Sequence, residues 1–69
     1  MYTIIVPITI DDMPRLVRHD LPSADEAASW ISEHTERRVS AVLLFSLSPG
    51  EIKEYRGADG FTVAIVIKA

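Results

Sequence analysis

The sequence contains no cysteine, which excludes disulfides, thiolate metal ligands and a cysteine nucleophile together. Glycine and proline are few, three and four in 69 residues, so collagen-like, low-complexity and disordered chains are ruled out. Basic residues are scarce too: seven Lys and Arg stand against ten Asp and Glu, a net charge of −3. That balance argues against a general binder of the phosphate backbone. The longest apolar runs, Ala41–Phe45 and Val63–Ile67, fall far short of the ~20 residues that cross a bilayer as a helix. Met1–Ile10 lacks the basic start and small-residue cleavage site of a secretory signal. A cytoplasmic location is therefore expected.

What is present is a 48% hydrophobic chain, enough for one small domain over residues 1–69, near the lower size limit for folding alone. With no covalent staple, stability must come from the core or from self-association. Tyr2, Ile4, Val6, Ile8 and Ile10 alternate with Thr3, Ile5, Pro7 and Thr9, the period of a strand. Pro7 cannot donate to a ladder, so this strand is expected at an edge or with a bulge. Asp11-Asp12-Met13-Pro14 reads as a turn, and Arg15–Leu21 as a second, weaker strand.

Ser23-Ala24-Asp25-Glu26 has a capping-box pattern, and Ala24, Ala27, Ala28 and Ile31 then recur at helical spacing with Trp30 beside them. Arg37 and Arg38 are expected to close this helix, where cations complement its dipole. Val39–Leu47 alternates like a strand, Ser48-Pro49-Gly50-Glu51 reads as a turn, Ile52–Arg56 as a short strand and Phe61–Lys68 as a last one. The predicted fold is α+β, a single helix on one face of a mostly antiparallel sheet of four to five strands, order β-β-α-β-β-β. If Leu43, Phe45, Val63 and Ile65 face the helix, then Ile5, Val42, Leu44, Ala64 and Val66 face away. One helix cannot cover both sides, and an uncovered apolar face marks an interface. Self-association through that face is thus one expectation.

Motifs for chemistry are sparse. The only histidines are His19 and His34, with no spacing that assembles a zinc site. His34 falls beside Trp30 on the helix wheel and reads as a partly buried structural imidazole. His19 and Asp20 point to opposite faces of a strand, which works against a dyad. No phosphate loop or nucleophile elbow occurs, and Tyr2 stands where small tautomerases carry proline. Neither enzymatic activity nor a cofactor, metal or direct nucleic-acid contact is expected.

Charge is more informative. Residues 11–36 hold seven acids and two bases, a local balance of −5, while residues 37–69 balance at +2. No Lys or Arg lies between Ser23 and Glu36 to pair at helical spacing, where stability alone would interleave the signs. Such an acidic face attracts a basic partner and speeds the encounter. The expected partner-binding residues are Asp11, Asp12, Asp25, Glu26, Glu33 and Glu36.

An acidic, cysteine-free chain of this size, with Ser-Ala-Asp-Glu-Ala-Ala-Ser-Trp-Ile opening its only predicted helix, is similar to small accessory proteins of phages and mobile elements, of the anti-CRISPR type. The resemblance extends over the whole chain and rests on size and architecture. It implies a non-enzymatic inhibitor that binds a protein subunit of a CRISPR effector complex in the host cytoplasm. Its acidic side chains would stand where the effector's basic residues hold DNA. Asp20–Ala27 also resembles the Leu-Pro…Glu-Ala segment of HicB-like antitoxins, without the Gly and Cys that follow Leu-Pro there. The function expected is occupation of a basic, nucleic-acid-handling surface of a larger protein complex. The alternatives are a small regulatory homo-oligomer of the antitoxin kind, or a small enzyme.

Overall fold

Two Asp residues make the first corner. In a computed structural model that describes residues 1–69, β1 (Tyr2–Ile10) and β2 (Met13–Leu21) are antiparallel and joined by Asp11-Asp12 alone. Both have positive φ, 51° and 63°, as a two-residue hairpin with the twist of its strands requires. Aspartate tolerates this left-handed conformation better than most residues. The second strand therefore starts at Met13, two residues before the expected Arg15, and includes Pro14.

Beyond β2, Ser23 caps α1 (Ala24–His34), its Oγ accepting from the Glu26 N–H at 3.2 Å. The Ser23 hydroxyl donates in turn to the Glu26 carboxylate at 3.3 Å. The helix stops at His34, before the arginines expected to close it. Thr35 ends it by donating both its N–H and its Oγ1 hydroxyl to the Ile31 carbonyl, at 2.9 and 2.7 Å. Arg37 lies past that end, 5.8 Å over the Tyr55 ring.

The expected strand over Val39–Leu47 is instead a loop and a short helix, α2 (Ala41–Phe45). A five-residue apolar run satisfies strand and helix periods equally. Here Ala41, Leu44 and Leu47, three apart, turn inward, with Leu44 and Leu47 buried. Lys68 fixes the end of α2 by donating from Nζ to the Phe45 carbonyl at 2.7 Å. After the Pro49-Gly50 turn, where Gly50 has φ +84°, come β3 (Ile52–Arg56) and β4 (Thr62–Lys68).

The sheet is antiparallel throughout, in the order β2-β1-β4-β3. The α+β class with helices on one face holds, and the element order is β-β-α-α-β-β with four strands. β1 pairs with β4 only over Tyr2–Ile5. From Val6 onward β1 and β2 project as a two-stranded arm, and Pro7 sits in the half of β1 that lacks its second neighbour.

The core lies between sheet and helices. It comprises Tyr2, Ile4 and Val6 of β1, Ala64 and Val66 of β4, Tyr55 of β3, the α1 stripe Ala24, Ala27, Ala28 and Ile31, and Leu44 and Leu47. Alanines at the helix–sheet contact let the two approach closely. Burying each of the large aliphatic side chains contributes about 1.5–3 kcal/mol.

The expected facing is reversed at Ala64, Ile65 and Val66 of β4 and at Leu44 and Phe45: Ala64, Val66 and Leu44 are buried in the core, whereas Phe45 is 72% exposed. Val63 packs against the core and Val42 is exposed, as expected. Ile65, in register with Ile5, lies on the far side with it. No helix of the fold is long and apolar enough to cross a membrane.

Candidate protein-binding surface

Because Ala24, Ala27, Ala28 and Ile31 point inward, helical spacing turns Asp25, Glu26, Ser29, Ser32 and Glu33 outward, all exposed. The molecule has two ion pairs, Arg18–Asp20 at 3.2 Å and Arg56–Glu54 at 2.8 Å. Neither includes any of the six acids expected to bind a partner. Asp25, Glu26 and Glu33 line one depression of about 340 Å³ together with Leu21, Ser29 and Trp30. Glu36 lies beyond the helix end and leans over Gly57, where an added Cβ would stand 2.5 Å from its Oε1. Glu33 and Glu36 share a wider hollow with Val6, Ile8 and His34 at the base of the hairpin arm. Asp11 and Asp12 occupy the arm's tip and line none of these hollows. The structure therefore gathers the helix acids and leaves the turn acids apart.

On the opposite flank of α1 runs a groove of about 360 Å³. Asp25, Ser29, Ser32 and Glu33 form one wall, Val39 and Ala41 the other. A recess of about 220 Å³ shares Asp25 and Ala41 with it and adds Val42 and Phe45. Carboxylates and exposed apolar side chains thus stand side by side. The apolar wall was hidden in the sequence by the strand-like alternation of residues 39–47.

Trp30 is held in a ladder between two imidazoles. Its ring centroid is 4.5 Å from that of His19 and 4.3 Å from that of His34, the latter stacked at 11°. The Nδ1–H of His34 donates to the Trp30 carbonyl at 2.8 Å. His34 is exposed, where a partly buried imidazole is expected from the sequence: it sits in the last turn of the helix and stacks on Trp30 from the solvent side. The i,i+4 spacing of Trp30 and His34 signalled that contact. His19 joins it only through the hairpin register.

The far face of the sheet carries the perturbed carboxylates. The Thr3 hydroxyl, at 2.7 Å, and then Arg18 hold the Asp20 pKa below the usual range, with partial desolvation opposing. Arg56 at 2.8 Å and the Thr62 hydroxyl at 2.8 Å do the same for Glu54. Tyr55 is the reverse case. Burial raises its pKa while Arg37 opposes the rise, and its hydroxyl is buried with no hydrogen-bond partner.

No protein-family model matches the chain, and no curated protein or solved structure matches it.

Proposed function

We propose that this chain is a non-enzymatic binding protein that meets a basic surface of a larger protein with the acidic outer side of α1. The observation that carries the reading is the set of helix carboxylates, Asp25, Glu26 and Glu33, that share one surface and form no ion pair. Unpaired acids repel one another and add nothing to helix stability beyond the first turn. Their attraction for a cationic partner is undiminished by any neighbouring base. Val42 and Phe45, exposed beside Asp25, supply apolar contact of the kind found at the centre of an interface. A basic surface that otherwise holds nucleic acid has the matching chemistry, and the likeness to anti-CRISPR-type proteins points to the same class of partner. Asp11 and Asp12, remote on the arm, are secondary in this reading.

An oligo-arginine peptide titrated by fluorescence anisotropy tests it. Wild-type protein is expected to bind it in a salt-sensitive way. Asp25→Lys/Glu33→Lys should lose about tenfold or more in affinity, roughly 1.4 kcal/mol, and show a flatter salt dependence. Asp11→Asn/Asp12→Asn should lose less. Equal binding by the wild type and the helix variant at low ionic strength would refute the proposal.

A further inference from the structure

One row on the uncovered face of the sheet repeats when it is turned over. The strand registers place Arg18, Ile5, Ile65 and Glu54 in one row across β2, β1, β4 and β3. The adjacent row is Asp20, Thr3, Ile67 and Ile52. No helix lies against this side, because the core draws only on the alternate residues of each strand. The first row reads cation, apolar, apolar, anion. Rotated by a twofold axis parallel to the strands and laid on a copy of itself, it matches at every position.

We infer that this face is the interface of a symmetric homodimer, in which Arg18 of each copy meets Glu54 of the other and Ile5 meets Ile65. A twofold interface must be self-complementary; this row meets that condition in both charge and polarity, while the adjacent row sets Asp20 over Ile52 and Thr3 over Ile67. Sheets packed face to face stand ~10 Å apart, a gap that an arginine and a glutamate side chain span together. The ~30° angle between aligned sheets moves the row ends by only about 4 Å.

The required atoms are free. Arg18 contacts Asp20 through Nε alone, leaving both terminal amino groups of its guanidinium to a partner. Glu54 accepts one bond on each oxygen, from Arg56 and from Thr62, and retains lone pairs on both. The charges on the face, Arg18, Asp20, Glu54 and Arg56, sum to zero. A chain of net charge −3 can therefore approach its copy here without the repulsion the helix side would impose. Four strands make a face about 19 Å wide, the size of a small and reversible interface.

Light scattering and sedimentation equilibrium over a wide concentration range test the inference. Wild-type protein should pass from monomer to dimer as concentration rises through the micromolar range. Arg18→Glu would place two carboxylates against each other at both ends of the row in a self-pair. Glu54→Arg would do the same with two guanidinium groups. Each variant alone should therefore dimerise at least about tenfold more weakly. Mixed in equal amounts, the two variants set carboxylate pairs of one copy against guanidinium pairs of the other and should recover a heterodimer. Both positions are solvent-exposed, and circular dichroism of each variant verifies its fold. If either variant is unfolded, Ile65→Lys serves in its place and should be monomeric. A wild type that stays monomeric at millimolar concentration overturns the inference, as does a mixture no more dimeric than its components.

Discussion

Two neighbours in β1 show how differently the faces of one sheet are used. Ile4 is fully buried under the helices, and Ile5, one residue on, lies half-buried on the open side. The same alternation continues in β4, where Ala64 and Val66 are buried and Ile65 and Ile67 are not. Both faces of the two central strands carry large apolar side chains, with Thr3 and Thr62 beside them on the open side. The edge strands break the tie: β2 turns Arg18 and Asp20 to the open side, and β3 turns Glu54 and Arg56 there. Polar residues at the margins, more than apolar ones at the centre, decide which side the helices cover.

The sharpest test of that difference is a matched pair of truncations. Ile4→Ala should cost about 2–5 kcal/mol, the lost transfer energy plus a cavity that the close-packed alanine stripe cannot fill. Ile5→Ala should cost about 1 kcal/mol, since much of its surface already meets water. Urea unfolding at low micromolar concentration, where association contributes little, measures both. Equal costs would mean that the open face is packed as tightly as the covered one.

A smaller effect of opposite sign is expected on the covered side. The Tyr55 hydroxyl is buried without a partner, a defect that costs roughly 1–3 kcal/mol wherever it occurs. Tyr55→Phe keeps the ring beneath Arg37 and Lys53, each 5.8 Å from its centroid, and removes the hydroxyl. The variant should be more stable by about 1 kcal/mol, a rise in Tm of roughly 4–8 °C for a domain of this size. A fall in Tm would show that the hydroxyl is satisfied, and that the covered face is more polar than its geometry indicates.

Much of this arrangement could be read from the chain. The period-2 pattern of Tyr2–Ile10, the Ser23 cap and the alanine stripe of α1 each have one local solution, and each formed as expected. The apolar segment Ala41–Phe45 has two, and tertiary contact chose the helix because Leu44 and Leu47 then share one inward side. The facing of β4 was ambiguous for the same reason, since Phe61–Lys68 is apolar at nearly every position and alternation there carries no preferred side. The helix acids were legible as a charge imbalance. Their place beside Trp30 was legible too, since Glu26, Trp30 and Glu33 follow at helical spacing; the His19 side of the Trp30 ladder was not, because His19 comes from β2. The self-matching row across the open face depends on four strands being in place at once, so no local pattern could announce it.

Acid should expose the smallest difference between the faces. No charged residue is buried on the covered side, whereas Asp20 and Glu54 on the open side hold pKa values below the ordinary carboxylate range. A lowered folded-state pKa means that the folded chain takes up protons less readily than the unfolded one. The stabilisation is therefore complete above the unfolded pKa values, near ~4, and is lost as pH falls through the lowered ones. Both groups are exposed to solvent, so the effect is modest and salt should weaken it. Below about pH 4 the Tm of the wild type should fall more steeply than that of Asp20→Asn/Glu54→Gln. Identical slopes would show that the polar margins contribute nothing to folding. At higher protein concentration the same acidification should also dissociate the proposed homodimer, because protonating Glu54 would remove the charge set to face Arg18 of the other copy.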